Sequence, residues 1–123
     1  MGAITRVAGA MVSATLLFSS LVFLGTSMAY ANEMTIAEGK KIAFNRKKGN
    51  CLACHMVADG SLPGNIGPPL IAMKARFPDK AKLRAQIWDA SINNPTTFMP
   101  PFGKHKILSE DEIDKITDFI HSL

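Results

Sequence analysis

The chain holds two cysteines, Cys51 and Cys54, and the residue after the second is His55. Cys51-Leu52-Ala53-Cys54-His55 is the C-x-x-C-H pattern that attaches a c-type haem. Two thiols three positions apart can reach the two vinyl groups along one porphyrin edge and form thioethers. The adjacent imidazole then comes up beneath the iron as the proximal ligand. A thioredoxin-like dithiol shares the C-x-x-C part, but it opens a helix after a strand and has no use for the histidine. No βαβ pattern surrounds the motif here. Two cysteines are too few for a disulfide framework, and no second Cys pair or His-x-x-x-His completes a structural zinc site.

An iron held from below needs a sixth ligand from the other side. The candidates after residue 31 are Met34, Met56, Met73, Met99, His105 and His121. Met56 adjoins the proximal histidine and cannot reach over the ring. Met34 precedes the first helix of this part, and His121 lies in the last turn of the last. Met73 stands near Leu70 and Ile71, where a methionine is ordinarily core filler. Met99 sits in Thr97-Phe98-Met99-Pro100-Pro101-Phe102-Gly103, and Pro100 biases it to an extended conformation. A stiff loop of this kind can project a fixed soft ligand, so Met99 is the first choice and His105 the second. Thioether ligation opposite histidine raises a reduction potential and fills the coordination sphere, which suits electron transfer.

The elements that must position these residues are few. Residues 35–45 read as a helix opened by a Thr35–Glu38 capping box, with Ile36, Gly39, Ala43 and Phe44 on its buried face. Gly49-Asn50 ends it. All seven prolines fall between Pro63 and Pro101, so the middle of the chain is mostly loop. One helix interrupts that loop, capped by Asp79 and carrying Leu83, Ile87 and Ala90 at helical spacing, with Trp88 beside them. The last helix is the best specified. Ser109 and Glu112 form a capping box, Leu108 and Ile113 a hydrophobic staple, and Glu110, Asp111 and Glu112 complement the positive end of the dipole. Ile113, Ile116, Ile120 and Leu123 make its apolar stripe, widened by Phe119. No alternating strand pattern and no internal repeat appears. The expected fold is all-α: a few helices and proline-rich loops around one covalent haem c.

At 123 residues the chain allows one domain, and its 20% charged share is too ordinary for a disordered tail. Much of the 47% apolar content lies at the start. Arg6 is followed by an uncharged run from Val7 to Asn32 that ends in Ala29-Tyr30-Ala31. A positive start, an apolar stretch and an A-x-A site make a secretory signal, so residues 1–31 are expected to be cleaved, leaving 32–123 as the working domain. The rival is an uncleaved membrane anchor. All ten acidic residues and all but one of the fourteen basic ones lie after the site, so the remaining domain stays net positive. Its small core would gain from a large buried cofactor.

With these residues in hand, the chain resembles class I cytochromes c, and more narrowly the SoxX subunits of the sulfur-oxidising SoxAX cytochromes. The similarity runs from Gly49 to Leu123. It is carried by GNCLACH at 49–55, PGNIGPPL at 63–70, RFPDKAKLRAQIWDA at 76–90, MPPFGKH at 99–105 and ILSEDEID at 107–114. The resemblance implies one covalent haem with His/Met ligation, matching Cys51, Cys54, His55 and Met99. In small cytochromes c a G-P-x-L stretch passes the proximal side, which makes the Pro68 carbonyl the expected acceptor for His55 Nδ1–H. Gly39 resembles the N-terminal-helix glycine that lets the C-terminal helix cross closely, with Phe44 displaced by one residue from the usual aromatic position.

The resemblance also implies a periplasmic heterodimer with a SoxA-type subunit, no membrane anchor after cleavage, and electron transfer to a downstream acceptor. That complex, an L-cysteine S-thiosulfotransferase, joins thiosulfate oxidatively to a cysteine of the SoxYZ carrier. The sulfur chemistry is attributed to SoxA. A free-standing cytochrome shuttle serving an oxidase or another redox enzyme is the alternative. Trp88 and Arg76 are either propionate partners or, respectively, a core aromatic and a surface charge. Arg46, Lys47, Lys48, Lys104 and Lys106 either ring the haem edge and steer an acidic partner or are simply solvated. An exported chain without a basic stripe or interleaved aromatics gives no case for nucleic acid.

Overall fold

The computed structural model describes residues 16–123, with side chains from Met28 onward except at residue 31. Two compact units divide the chain, Met1–Asn32 and Glu33–Leu123. Of the first unit, the described part is helical backbone from Leu16, so Arg6 and the start of the expected export segment lie outside the described residues. Among the described residues no helix is long and apolar enough to cross a membrane, and none forms a strand.

The elements in chain order are α1 (Leu16–Phe44), a single 3-10 turn at Cys51–Ala53, α2 (Met73–Arg76), α3 (Lys80–Trp88), a second 3-10 turn at Ala90–Ile92, and α4 (Glu110–His121). The expected start of a helix at Thr35 is not observed, because α1 runs through it without a break. Inside a continuous helix the amides of that turn pair with carbonyls four residues earlier, so no cap is called for. Glu38 instead reaches Lys115 of α4 at 2.9 Å. The other two expected starts hold. Asp79 accepts from Ala81 N at 2.9 Å to open α3, and Ser109 and Glu112 exchange both bonds of the capping box.

α4 is the centre of the second unit. Ile113, Ile116, Phe119 and Ile120 are buried, and Leu108 is buried beside Ile113 as a staple requires. Ala43, Val57, Met73, Leu83, Ile87 and Phe102 complete the cluster. Thr117, also buried, donates its hydroxyl to Ile113 O at 2.7 Å, so the polar atom costs little.

The contact between α1 and α4 is made at backbone distance. A Cβ on Gly39 would lie 1.9 Å from Lys115 O and 3.0 Å from Phe119 Cβ. One turn further on, Phe44 meets Phe119 edge-to-face, 5.7 Å between centroids at 84°. The close crossing expected at Gly39 is therefore present, and Phe44, despite its displacement, packs on the same helix. On the other side, α3 is tied to α4 by Arg84 with Asp114 and Glu110, and by Lys80 with Asp118. Leu123 O accepts from Met73 N at 2.8 Å and so holds the start of α2.

Gly39→Ala is expected to destabilise the fold by about 1–3 kcal/mol, since the methyl must push two backbones apart. Lys41→Ala, on the exposed side of the same helix, is expected to stay within about 0.5 kcal/mol of wild type. Denaturant unfolding of the two variants side by side checks this.

Candidate functional site

The C-x-x-C-H segment is a single tight turn. Asn50 takes the left-handed conformation at φ 47°, which asparagine tolerates, and aims the chain into the 3-10 turn at Cys51–Ala53. Cys54 N and His55 N both donate to Cys51 O, at 3.2 and 2.9 Å. Both thiols are free and half-buried. Burial pushes the Cys51 thiol up to about 11, with Cys54 adding to the effect and a backbone hydrogen bond opposing it. A resting thiolate, which a dithiol redox pair uses, is thus disfavoured at Cys51.

Three backbone bonds lay residues 64–70 against this turn: Gly64 N to Leu52 O at 2.7 Å, Gly67 N to Cys54 O at 2.8 Å, and Leu70 N to Met56 O at 2.9 Å. Two glycines make the approach possible. A Cβ on Gly64 would meet Ala53 O at 2.0 Å, and one on Gly67 would meet the His55 ring at 2.4 Å. With the backbone this close, Pro68 O comes to 2.7 Å from His55 Nδ1. A carbonyl only accepts, so Nδ1 carries the proton and Nε2 keeps the lone pair. The expected Pro68 contact is therefore present.

Arg76 is exposed, as the surface reading has it, and from there donates from Nη1 to Pro69 O at 2.7 Å and lies 3.4 Å from Met73 Sδ. It holds the carbonyl next to the one that orients His55. This role was not read from the sequence, because nothing local links position 76 to position 69.

The sixth-ligand candidates separate by surroundings. Met73 is only 2% exposed, inside the core, and His121 Nε2 is engaged with Phe77 O at 3.1 Å. Met34 and Met56 are largely exposed, as is His105. Met99 is half-buried against the core, with its amide bonded to Thr97 Oγ1 at 3.1 Å. After it, Phe102 is buried and Gly103 lies flat on the Trp88 ring, where a Cβ would come within 2.1 Å. Trp88 thus packs the methionine loop, and the Arg84 guanidinium sits 5.4 Å above its ring. Of the basic cluster, Lys48 is paired with Glu112 and Lys104 with Asp89, while Arg46, Lys47 and Lys106 are exposed.

The donor set fits a haem. Two thiols and an imidazole share one turn, the imidazole has a committed Nδ1, and a thioether stands on a separate stiff loop. Leu62, Ile66, Ile71, Ile92 and Phe98 are large apolar side chains left exposed on the segments between His55 and Met99, as expected where a planar apolar group would cover part of the surface. Among the described residues no group of three or more His, Cys, Asp or Glu could hold a bare metal ion.

Comparisons with known proteins give the family. Residues 35–120 match the family described as cytochrome c oxidase, cbb3-type, subunit III, and the chain belongs to that cytochrome c family. Its helical architecture is the class I cytochrome c fold. The crystal structure of SoxXA from P. pantotrophus superposes with a TM-score of 0.63 at 28% identity, over 70% of this chain and 79% of the matched one. The chain is SoxX-like. An uncharacterised lipoprotein of Aquifex aeolicus (strain VF5) is 34% identical over 76 residues, 61% of this chain; the chain spans 37% of that relative's length.

Asp89 is buried and its carboxyl is held down at about 2 by Lys104 and by the Ser91 hydroxyl. A folded-state value below the ordinary 3.8 means a contribution that is complete above 3.8 and lost as the pH falls through about 2. Thermal unfolding followed across that window is expected to show a steeper acid loss in wild type than in Asp89→Asn.

Proposed function

We propose that this chain is an exported c-type cytochrome with one haem, bound through thioethers to Cys51 and Cys54 and ligated by His55 Nε2 and Met99 Sδ. The observation that carries the reading is the 2.7 Å contact between Pro68 O and His55 Nδ1, set directly behind a C-x-x-C-H turn. Bound haem supplies an iron that gains and loses one electron. The chain's own residues fix its position: the Cys51–His55 turn presents two thiols and an imidazole together, Gly67 and Pro68 fix the ring tautomer, and Arg76 steadies the next carbonyl. Met99 on its proline-stiffened loop closes the remaining position, which favours electron transfer over substrate binding at iron.

Residues 1–31 are proposed as a cleaved export signal that delivers 32–123 to the periplasm. The lipoprotein relative supports export. Within the same reading, the chain accepts electrons in a SoxAX-type complex, beside a SoxA-type subunit whose haem conducts the joining of thiosulfate to a SoxYZ carrier cysteine. The structural likeness to SoxXA, together with the five linked segments of sequence similarity, supports that partner. A second reading, an electron donor to a terminal oxidase, is favoured by the family description.

Met99→Ala is expected to abolish the far-red Met–Fe(III) absorption band and to open the iron to carbon monoxide in the reduced protein. Purification from periplasm with a haem-stained gel separates the two partner readings. A second c-type cytochrome in the complex is expected, and migration as a lone monomer favours the oxidase donor.

A further inference from the structure

The methionine loop leaves the core at one place and returns to the same place. Its upstream limb begins at the second 3-10 turn. Ala90 O accepts from Asn93 N and Asn94 N, at 3.3 and 3.1 Å. Asn94 then closes a turn of its own, its Oδ1 accepting from Thr96 N and Oγ1 and its carbonyl from Thr97 N at 3.0 Å. Thr97 Oγ1 takes the Met99 amide at 3.1 Å. The downstream limb ends on Trp88, whose carbonyl accepts from Gly103 N at 3.1 Å and Lys104 N at 3.4 Å.

Asp89 lies between the two anchor points and touches both limbs. One carboxylate oxygen, Oδ1, accepts from Ser91 N at 3.1 Å and from the Ser91 hydroxyl, closing the 3-10 turn that starts the upstream limb. The other, Oδ2, pairs with Lys104 Nζ at 2.8 Å on the downstream limb. The residue is 3% exposed, so this carboxylate is not a solvated surface charge. A buried charge persists only when its partners are kept in place, because breaking such a pair strands the charge.

We infer that Asp89 is the positioning residue for the proposed axial methionine: one carboxylate clasps both limbs of residues 90–104, at Ser91 and at Lys104, and so governs how completely Met99 stays on the iron. The inference rests on the reading of Met99 as sixth ligand. It is distinct from that reading, because Met99 could bind iron with its loop held by packing on Phe102 and Trp88 alone. Lys104 acts through Asp89, and its ammonium is the half of the clasp that can be changed from outside, since that side chain is 56% exposed.

The test is an imidazole titration of the full-length holoprotein, read with the far-red Met–Fe(III) band and far-ultraviolet circular dichroism. An external ligand can enter only when Met99 is off, so its apparent affinity scales with that fraction. Asp89→Asn keeps an oxygen for Ser91 but presents no charge to Lys104. It is expected to bind imidazole about tenfold more tightly than wild type and to lose the far-red band at a lower temperature than its helical signal. Lys104→Met should behave the same way, and Lys104→Arg should return both readouts to wild type. A merely structural role would move band and helix together.

Imidazole affinity in Asp89→Asn or Lys104→Met equal to wild type overturns the clasp. If Asp89→Asn does not accumulate as holoprotein, Lys104→Met decides alone. A wild-type protein without the band, or a Met99→Ala protein that retains it, overturns the methionine assignment itself.

Discussion

An imidazole ring is fixed in tautomer and orientation when one of its nitrogens is held, and for His55 one carbonyl does this. Pro68 O meets His55 Nδ1 at 2.7 Å, and the backbone reaches that distance because Gly67 leaves no Cβ to strike the ring. Much of the surrounding loop serves the same contact. Gly64 and Gly67 bond back to Leu52 and Cys54, Leu70 bonds to Met56, and Arg76 steadies the neighbouring Pro69 carbonyl. The loop has no ladder of its own, so these cross-links replace one.

What the loop leans on is α4. Its apolar stripe is buried, its acidic residues face basic partners on α3 and on the turn after α1, and its Lys115 pairs with Glu38 of α1. Exposed pairs of this kind are individually worth about 0–1 kcal/mol, less than the roughly 1.5–3 kcal/mol from burying one large aliphatic side chain. The pairs therefore select which helix faces meet, while Ile113, Ile116, Phe119 and Ile120 supply the stability. Gly39 sets how near α1 comes, and Phe44 closes the gap beside it.

The parts legible in the sequence were those whose cause is local. The Ser109–Glu112 box, the Asp79 cap and the Leu108–Ile113 staple each lie within one helical turn, and each is present. The C-x-x-C-H turn and the Gly67-Pro68 stretch were legible for the same reason. Thr35 misled because a capping signal competes with whatever precedes it, and the preceding residues continue the helix. Met73 lies in the buried cluster, where its neighbours Leu70 and Ile71 led a core methionine to be expected. Arg76, Asp89 and the Trp88–Gly103 contact escaped, since each depends on a segment seven or more residues away brought near only by the folded loop. The pairing of Lys48 and Lys104 likewise removed two charges from a basic cluster that sequence alone left whole.

The account stands on covalent attachment of a single haem through Cys51 and Cys54, and the intact mass of the denatured protein tests that directly. A mass equal to residues 32–123 plus one haem, unchanged by acid–acetone extraction and with neither cysteine open to alkylation, is the predicted result. A bare polypeptide whose two thiols both alkylate, with any haem lost to the solvent, would contradict it.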